Sequence, residues 1–368
     1  MSTMSTEAAR NPHTITRFIL QEQQKYPNAK GDLTIILNSV TLAVKIVSAA
    51  AKGAGIFQRY GVKRLKEEIT TLPNDSNYHL KDTGNNDEDS KQNESQTDEQ
   101  KEDIRKFSYD SIYSSVSWCG KIPLMLTTIN PTEPIVIKQC DDAKYVLVFD
   151  PIDGKQNIQI NASIGTIFGV YKVKNVEKPC NDDILQPGSE MVAAGYALYG
   201  DATVLILSFG DAVNGFTLDP TIGEFILTHK NIKIPEQGGV YSINEGYAEE
   251  WNDAIKEYIS QCKKPDKGKP KKSRYIGCMV ADVHRTLIRG GIFLYPPNKK
   301  FPNGKLNLLC ECNPLSFIVN AAGGRSSNGK ELITSIQPKS LDQTTPIYIG
   351  SKRDVMAVEV AYKRNNIK

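Results

Sequence analysis

Residues 144–154, KYVLVFDPIDG, restrict the possible folds more than any other stretch of this 368-residue chain. Tyr145 through Phe149 are apolar or aromatic without interruption, which reads as a strand buried in the interior. Asp150 closes that strand and Asp153 follows three residues later, so two carboxylates are delivered to one sheet edge. Pro151 locks its own φ and has no N–H to give to a ladder, and Gly154 permits a tight turn. The chain must therefore bend sharply where its acids emerge.

Helical and strand patterns interleave around this strand. Residues 31–56 carry Leu33, Ile36, Val40, Val44 and Val47 at helical spacing, with Asp32 near the start and glycines at the end, so an amphipathic helix is predicted there. Residues 57–74 continue as helix and turn, 104–120 read as helix, and 122–128 as a short strand. The run 163–173 is strand-like, and MVAAGYALYG followed by ATVLILSF is a helix or strand packed on a further strand. In 213–229 two apolar runs flank DPTIG, the pattern of a hairpin. A helix around 248–262 precedes a Lys/Pro/Gly loop, after which the order is helix, strand, strand through LNLLCEC, helix, strand and terminal helix. Such interleaving predicts a layered α/β (α+β) fold.

Composition narrows the function. Hydrophobic residues make up 39% of the chain, ordinary for a packed globular protein. No window approaches about 18 uninterrupted apolar residues, and the polar start MSTMSTEAARNPH lacks a secretory apolar core, so the expectation is a cytoplasmic protein without a membrane partner. Seven cysteines form no CxxC pair, and Cys310 and Cys312 read as alternating strand positions. Residues 82–103 hold nine acids and two lysines, so the overall charge of +3 conceals a larger positive excess elsewhere. Apolar residues nearly vanish between about 75 and 103, which predicts a disordered acidic insertion. A mild positive excess suits phosphorylated ligands, and no arginine-rich or Lys/aromatic stripe points to nucleic acid.

The turn after Asp150 offers hard oxygen ligands. Asp150, the Ile152 carbonyl and Asp153 supply three oxygens in four residues, a set that suits Mg²⁺ completed by water and phosphate oxygens. Amides after Gly154 can hold a phosphate at a helix start or nest. Asp-Pro and Asp-Gly are also ordinary turn sequences.

In chain order, VFDPIDG, NASIGTIFGVY, LDPTIGEFILTHKNIKIP, YSINEGYA, RYIGCMVADVHRTLIRGGIFLYPPNKKFPNGKL and ECNP resemble the motifs of class I fructose-1,6-bisphosphatases, members of the Mg²⁺- and Li⁺-sensitive sugar and inositol phosphatase superfamily. The resemblance runs from about residue 14 to 365, leaving out the acidic insertion and a divergent stretch near 108–143. It implies an α/β/α/β/α layered sandwich: a flexible 1–13, an allosteric-type half over 14–210 and a sugar-phosphate half over 211–368, assembled as a homotetramer. By the same resemblance Asp150, Asp153 and Glu311 are the metal carboxylates. Asn244, Tyr247, Tyr275 and Tyr295 hold the 6-phosphate, Arg274 reaches it across a subunit interface, Lys305 contacts the sugar-phosphate and Met279 lines the sugar pocket. Gly154 and Lys155 fall in the turn facing the reacting phosphate. Gly31, Asp32 and Thr34 resemble the start of the AMP-binding helix, and Lys144 and Tyr145 match its Lys-Tyr pair, while Lys172 stands where the family places an arginine.

The resemblance fails at the catalytic acids. The family's VSEE motif, whose glutamates bridge the metals and help activate water, is replaced by LMLTTINPTEP, with Thr127, Thr128, Ile129 and Asn130 as its occupants. Ser108 occupies the place of a catalytic loop aspartate. Glu133 or the acids of 82–103 would have to reach back to compensate. Lys155, where the family has serine, can fold back onto Asp150 and Asp153, point to the reacting phosphate, or lie in solvent. Two expectations follow. One is a homologue that binds fructose 1,6-bisphosphate or fructose 6-phosphate with lost or strongly reduced phosphatase activity and low Mg²⁺ occupancy, acting as a binding or regulatory subunit, with the variant that it gives up the ligand and joins active homologues in a mixed tetramer. The other is an active Mg²⁺-dependent 1-phosphatase of gluconeogenesis with a rearranged acid set.

Overall fold

The computed structural model describes residues 12–26, 29–60, 94–138 and 143–365. Helix α1, Ile15–Gln24, is capped by the Thr14 hydroxyl accepting from the Arg17 amide, and buries Ile15, Phe18 and Ile19 on one face. Helix α2, Asp32–Tyr60, fulfils the predicted apolar spacing: Ile36, Val40, Ala43, Val44 and Val47 are fully or almost fully buried. Its Asp32–Lys52 portion is long and apolar enough to cross a membrane by length and composition alone, but polar residues interrupt it and just over half of it is buried inside the protein as the inner face of a core helix. Helix α3 spans Glu94–Ser117.

After α3 the chain enters an eight-stranded sheet, β1 Leu124–Thr127, β2 Asn130–Val136, β3 Tyr145–Asp153, β4 Ile164–Lys172, β5 Met191–Tyr199, β6 Thr203–Ser208, β7 Val213–Asp219 and β8 Glu224–His229, in the order β2-β1-β3-β4-β5-β6-β7-β8. Neighbours are antiparallel except β1 and β3, which run parallel with Thr127 opposite Phe149. That exception matters for the site, because it sets the C-terminal ends of two strands side by side. Strand β3 alternates as period two requires: Leu147 and Phe149 pack under α1–α3, while Val146 and Val148 face the opposite layer.

The opposite layer holds α5, Met279–Arg289, and α6, Asn313–Ala321. Beyond it lies a second sheet of β9 Val240–Ser242, β10 Lys272–Ser273, β11 Ile292–Tyr295, β13 Arg325–Ser327 and β15 Ile347–Gly350, ordered β10-β9-β11-β15-β13. Helices α4, Asp253–Lys263, and α7, Lys352–Arg364, close its outer face through Ile255, Tyr258, Val355 and Val358 packed on Leu294 and Tyr348. Helix, sheet, helix, sheet and helix therefore stack in five layers, the sandwich expected. A small third ribbon pairs β12, Leu306–Asn307, with β14, Thr344–Thr345.

Three local expectations are corrected. The acidic stretch expected to be disordered over 75–103 lies outside the described residues up to 93, but 94–103 are helical in α3. Glu, Gln and Lys are good helix formers, and the helix is anchored further along by buried Ile112 and Val116. The strand expected through Cys310 and Cys312 stops at Asn307. The Asn307 side-chain oxygen accepts from the Leu309 and Cys310 amides, starting a π-helical turn over Leu308–Cys312. The first sheet runs on to His229 and the second begins at Val240, so the change of sheet falls later than a division at 210/211.

Candidate active site

The acids converge where β3, the π turn and α5 meet. Asp150 ends the buried part of β3 and is only 5% exposed. The parallel register brings the residue after Thr127 beside it, and the Thr128 hydroxyl donates to Asp150 Oδ1 at 2.6 Å. Asp153 Oδ2 accepts from the Val280 amide at 2.7 Å and from the Cys278 thiol at 3.0 Å. Val280 lies in the first turn of α5, so a carboxylate caps a helix N-terminus. Gly154 has a φ of 77°, and a Cβ there would lie 2.7 Å from Cys278 Cβ, so the turn approaches α5 as closely as a glycine allows. The π turn carries Glu311 inward between buried Cys310 and Cys312, and its Oε2 accepts from the Asn307 amide at 2.6 Å.

These carboxylates disfavour one another's charge. Burial, offset in part by the Thr128 hydroxyl and by the Arg105 and Lys155 charges, raises the Asp150 pKa. Asp153 is pushed up to about 7, first by burial and then by Asp150. Glu311 rises well above the usual carboxylate range through burial, then through the nearby charge of Asp150. Mutual repulsion of this kind is what a cation relieves. The donors are hard oxygens of the type Mg²⁺ takes. Among the described residues, however, no three acidic, histidine or cysteine side chains converge closely enough to hold a metal ion by themselves.

A second group faces the same cleft from the other sheet. Asn244 and Tyr247 follow β9, Tyr275 follows β10 and Tyr295 ends β11, all at one edge of that sheet. The three tyrosines are near neighbours. Burial raises the Tyr295 pKa to about 12, with Tyr247, Glu311 and Asp153 adding to it. Tyr275 is raised further, by burial and then by Tyr295 among others. Their phenols stay protonated and can donate. Tyr247 and Tyr275 are 47% and 40% exposed, accessible to a ligand. Asn244, Tyr247, Trp251, Tyr295 and Pro297 line a shallow pocket there. Lys305 is exposed, stands 5.6 Å from the Phe301 ring centroid, and its charge is felt at Glu311. Arg274 is exposed beside them, its guanidinium donating to the Ser273 carbonyl at 2.7 Å. Met279 is buried in the core between the sheets, one residue before Val280.

The positions that the sequence resemblance implies are replaced catalytic acids fall as follows. Thr127 is buried and its hydroxyl accepts from the Ile129 amide at 3.4 Å. Ser108 is fully buried in α3, and its hydroxyl has no hydrogen-bond partner among the described residues. Glu133 is exposed on edge strand β2. Lys155 is exposed at the start of a 3₁₀ turn, Lys155–Asn157, that buries Asn157, while its charge still reaches Asp150. Sequence reasoning missed Arg105, whose Nη2 donates to the Thr128 carbonyl at 3.4 Å, and Cys278, which binds Asp153. The position of Arg105, one helical turn before Ser108, was the available signal.

At the far end of the N-terminal sheet, Gly31, Asp32, Thr34, Lys144 and Tyr145 line one cavity of about 630 Å³. Lys30 and Lys172 line it too. Asp32 pairs with Lys121 at 3.0 Å, and the Thr34 hydroxyl donates to Gln23 Oε1 at 2.6 Å.

Known proteins match over nearly the whole chain. The profile described as "Fructose-1-6-bisphosphatase, N-terminal domain" covers residues 13–69 and 90–230, and "Fructose-1-6-bisphosphatase, C-terminal domain" covers 234–363. A cytosolic fructose-1,6-bisphosphatase of Brassica napus is 42% identical over 357 residues, 97% of each chain. Fructose-1,6-bisphosphatase 1 of Rattus norvegicus is 43% identical over 356 residues, 96% of this chain and 90% of its own. The apo crystal structure of the Leishmania major fructose-1,6-bisphosphatase superposes with a TM-score of 0.79 at 32% identity, covering 96% of this chain and all of that one. With matches of this extent over both halves and the same layered fold, the chain belongs to the fructose-1,6-bisphosphatase family.

Proposed function

We propose that this protein binds fructose 1,6-bisphosphate or fructose 6-phosphate and has lost most of its phosphatase activity, acting as a binding or regulatory member of its family. One observation carries the reading: a threonine hydroxyl, that of Thr128, is the side chain beside Asp150 at the end of the parallel strand pair. A hydroxyl donates to a carboxylate and adds no negative charge, so the neighbour that could share a divalent ion with Asp150 is absent from that position. Ile129 beside it has no polar atoms, and Ser108 is buried with an unpartnered hydroxyl. Loss of a general base alone costs about 10²- to 10⁴-fold in rate.

The residues that remain do defined work. Tyrosine hydroxyls, the Asn244 amide and the Lys305 ammonium give the sugar's phosphate donors at the second sheet's edge. Asp150, Asp153 and Glu311 would hold one Mg²⁺, which when bound neutralises phosphate charge. Cys278 and the Val280 amide orient Asp153 toward the cleft. The cavity at Gly31, Thr34, Lys144 and Tyr145 supports AMP binding, with Lys172 supplying charge. The names of plant relatives support a cytosolic location, and the family resemblance supports a tetramer, homomeric or mixed with an active homologue.

The second reading, an active Mg²⁺-dependent 1-phosphatase, is favoured by the mutual repulsion of the three acids and by the activity named for relatives above 40% identity. Phosphate release from fructose 1,6-bisphosphate with Mg²⁺ or Mn²⁺ separates the two. Turnover that disappears in Asp150→Ala overturns the binding reading. Sugar-phosphate binding without turnover, and release that appears only in a Thr128→Glu, Ile129→Glu, Ser108→Asp triple variant, supports it.

A further inference from the structure

A second cavity, of about 610 Å³, adjoins the tyrosine pocket: Pro297 lines both, and Trp251 of one is followed in the chain by Asn252 of the other. Small-molecule sites run from about 300 to 1,000 Å³. Its polar groups are held in place by the backbone around it. Asn252 caps α4, its side-chain oxygen accepting from the Ile255 amide at 3.0 Å while its Nδ2 donates to the Tyr362 hydroxyl at 3.0 Å. Asn328 Oδ1 accepts from the Lys330 and Glu331 amides, both at 2.9 Å, and Gln343 Oε1 from the Lys339 amide at 2.7 Å. With the two oxygens tied in this way, the NH₂ groups of Asn328 and Gln343 have no partner among the described residues, nor has the Thr344 hydroxyl. Fixed amides and a hydroxyl from separate segments thus line one space with hydrogen bonds still to make.

The lining also selects by charge. Lys330 is outnumbered by Glu331 and Asp342, a balance that disfavours a phosphate, and Pro297, Pro302 and Pro346 add apolar surface. Neutral donors beside apolar faces suit a ligand with many hydroxyls and a C–H face. The cavity wall is in turn bonded to the cleft. Strand β14 pairs with β12, setting Thr344 opposite Asn307, whose amide donates to Glu311 at 2.6 Å. The Gln343 carbonyl accepts from the Leu308 amide at 2.8 Å, at the start of the π turn. At Gly304, φ 86°, a Cβ would stand 2.2 Å from the Pro346 nitrogen, and Lys305 follows it. We propose that this cavity is a second binding site, for an unphosphorylated hexose or polyol, whose occupancy tightens sugar-phosphate binding through the backbone of residues 303–308. A ligand that fixes Gln343 and Thr344 also fixes the segment carrying Lys305, so a sugar phosphate arriving second has less ordering to do. The site stands independently of the function proposed above; only the coupling rests on that reading.

Calorimetry on the full chain with D-glucose and sorbitol, as ring and open-chain probes, tests the site. At least one is expected to bind one to one, and to bind still when fructose 6-phosphate is saturating. The near-isosteric pair Thr344→Val with Gln343→Met removes two donors and should weaken that binding about tenfold. Asn303→Trp, which fills the cavity from its exposed rim, should abolish it. Urea midpoints show which variants are folded, and either one alone decides the site. Binding of neither probe, displacement of the probe by fructose 6-phosphate, or unchanged affinity in the folded variants overturns it. Inorganic phosphate that binds wild type and is lost in Asn303→Trp overturns the neutral ligand class. Probe and fructose 6-phosphate should each raise the other's affinity by the same factor, about fivefold or more, and affinities that ignore each other overturn the coupling. A protein that binds the probe but no sugar phosphate would refute the function proposed above, and with it the coupling, while establishing the site.

Discussion

The two ends of the cleft are built on different physical terms. At one end, proposed above to hold the sugar phosphate, Asn244, Tyr247, Tyr275 and Tyr295 present neutral donors from strand ends of one sheet, and none needs a second charge to be stable. At the other end Asp150 is buried and Asp153 and Glu311 half-buried, and Asp150 raises the pKa of the other two, restrained by Thr128, Cys278, Arg105 and backbone amides. Neutral donors bind a phosphate wherever geometry allows. Cutting a phosphate ester needs concentrated negative charge and the ions it recruits, and the binding reading proposed above rests on the threonine that stands beside Asp150. On that reading recognition outlasts catalysis, because the two would depend on separate side chains.

The largest test strikes the hinge between the ends. Gly154→Ala places a Cβ 2.7 Å from Cys278 Cβ at a φ of 77°. A loss of roughly 3–4 kcal/mol is expected, read as a lower urea midpoint, with weaker binding of both sugar phosphates. An unchanged midpoint would show that the turn and α5 are not rigidly coupled.

Next comes the charge stored at the acidic end. Asp153 in the folded protein titrates near 7 against an ordinary 3.8, because burial and Asp150 both favour its neutral form. The folded state keeps a proton that the unfolded chain has lost, so the stability from this group is fully present below pH 3.8 and is lost as pH rises through 7. In chelator, Asp153→Asn should be about as stable as wild type near pH 4 and more stable by roughly 2–3 kcal/mol above pH 7, with solvent screening holding down the gain. Urea unfolding across this range checks it, and parallel pH profiles for the two proteins would refute the repulsion.

A smaller effect sharpens the opposite end. Tyr247→Phe should weaken fructose 1,6-bisphosphate and fructose 6-phosphate by the same factor, about tenfold, since the hydroxyl serves a group both ligands share. Calorimetry showing loss for only one ligand would mean that Tyr247 belongs to the other phosphate. The smallest change is Thr128→Val, which removes one hydroxyl from Asp150 and is expected to cost on the order of 1 kcal/mol of stability. Were Thr128 part of a working hydrolytic site, the same variant would lower phosphate release far more than it lowers the urea midpoint.

Much of this molecule is legible in the chain. The strand 144–150 with its uninterrupted apolar run and the helical spacing of Ile36, Val40, Val44 and Val47 both appear where local pattern places them. MVAAGYALYG left helix and strand open, and the structure chooses strand β5, since a ten-residue apolar run carries no clear period. The CEC reading failed for a different reason: an Asn307 side chain turned the backbone, which alternation of residue types does not reveal.

The residue types at the site were settled by the sequence: acids at 150, 153 and 311, a hydroxyl at 128, tyrosines at 247, 275 and 295. Which of them meet was decided only by tertiary structure. Thr128 reaches Asp150 because β1 and β3 pair in parallel at one register, Glu311 arrives through a π turn, and Arg105 is delivered by the stacking of Tyr109 on Phe149. Periodicity is a property of neighbours along the chain, whereas charge balance in a cleft is a sum over side chains drawn from distant elements, fixed by how their buried faces pack.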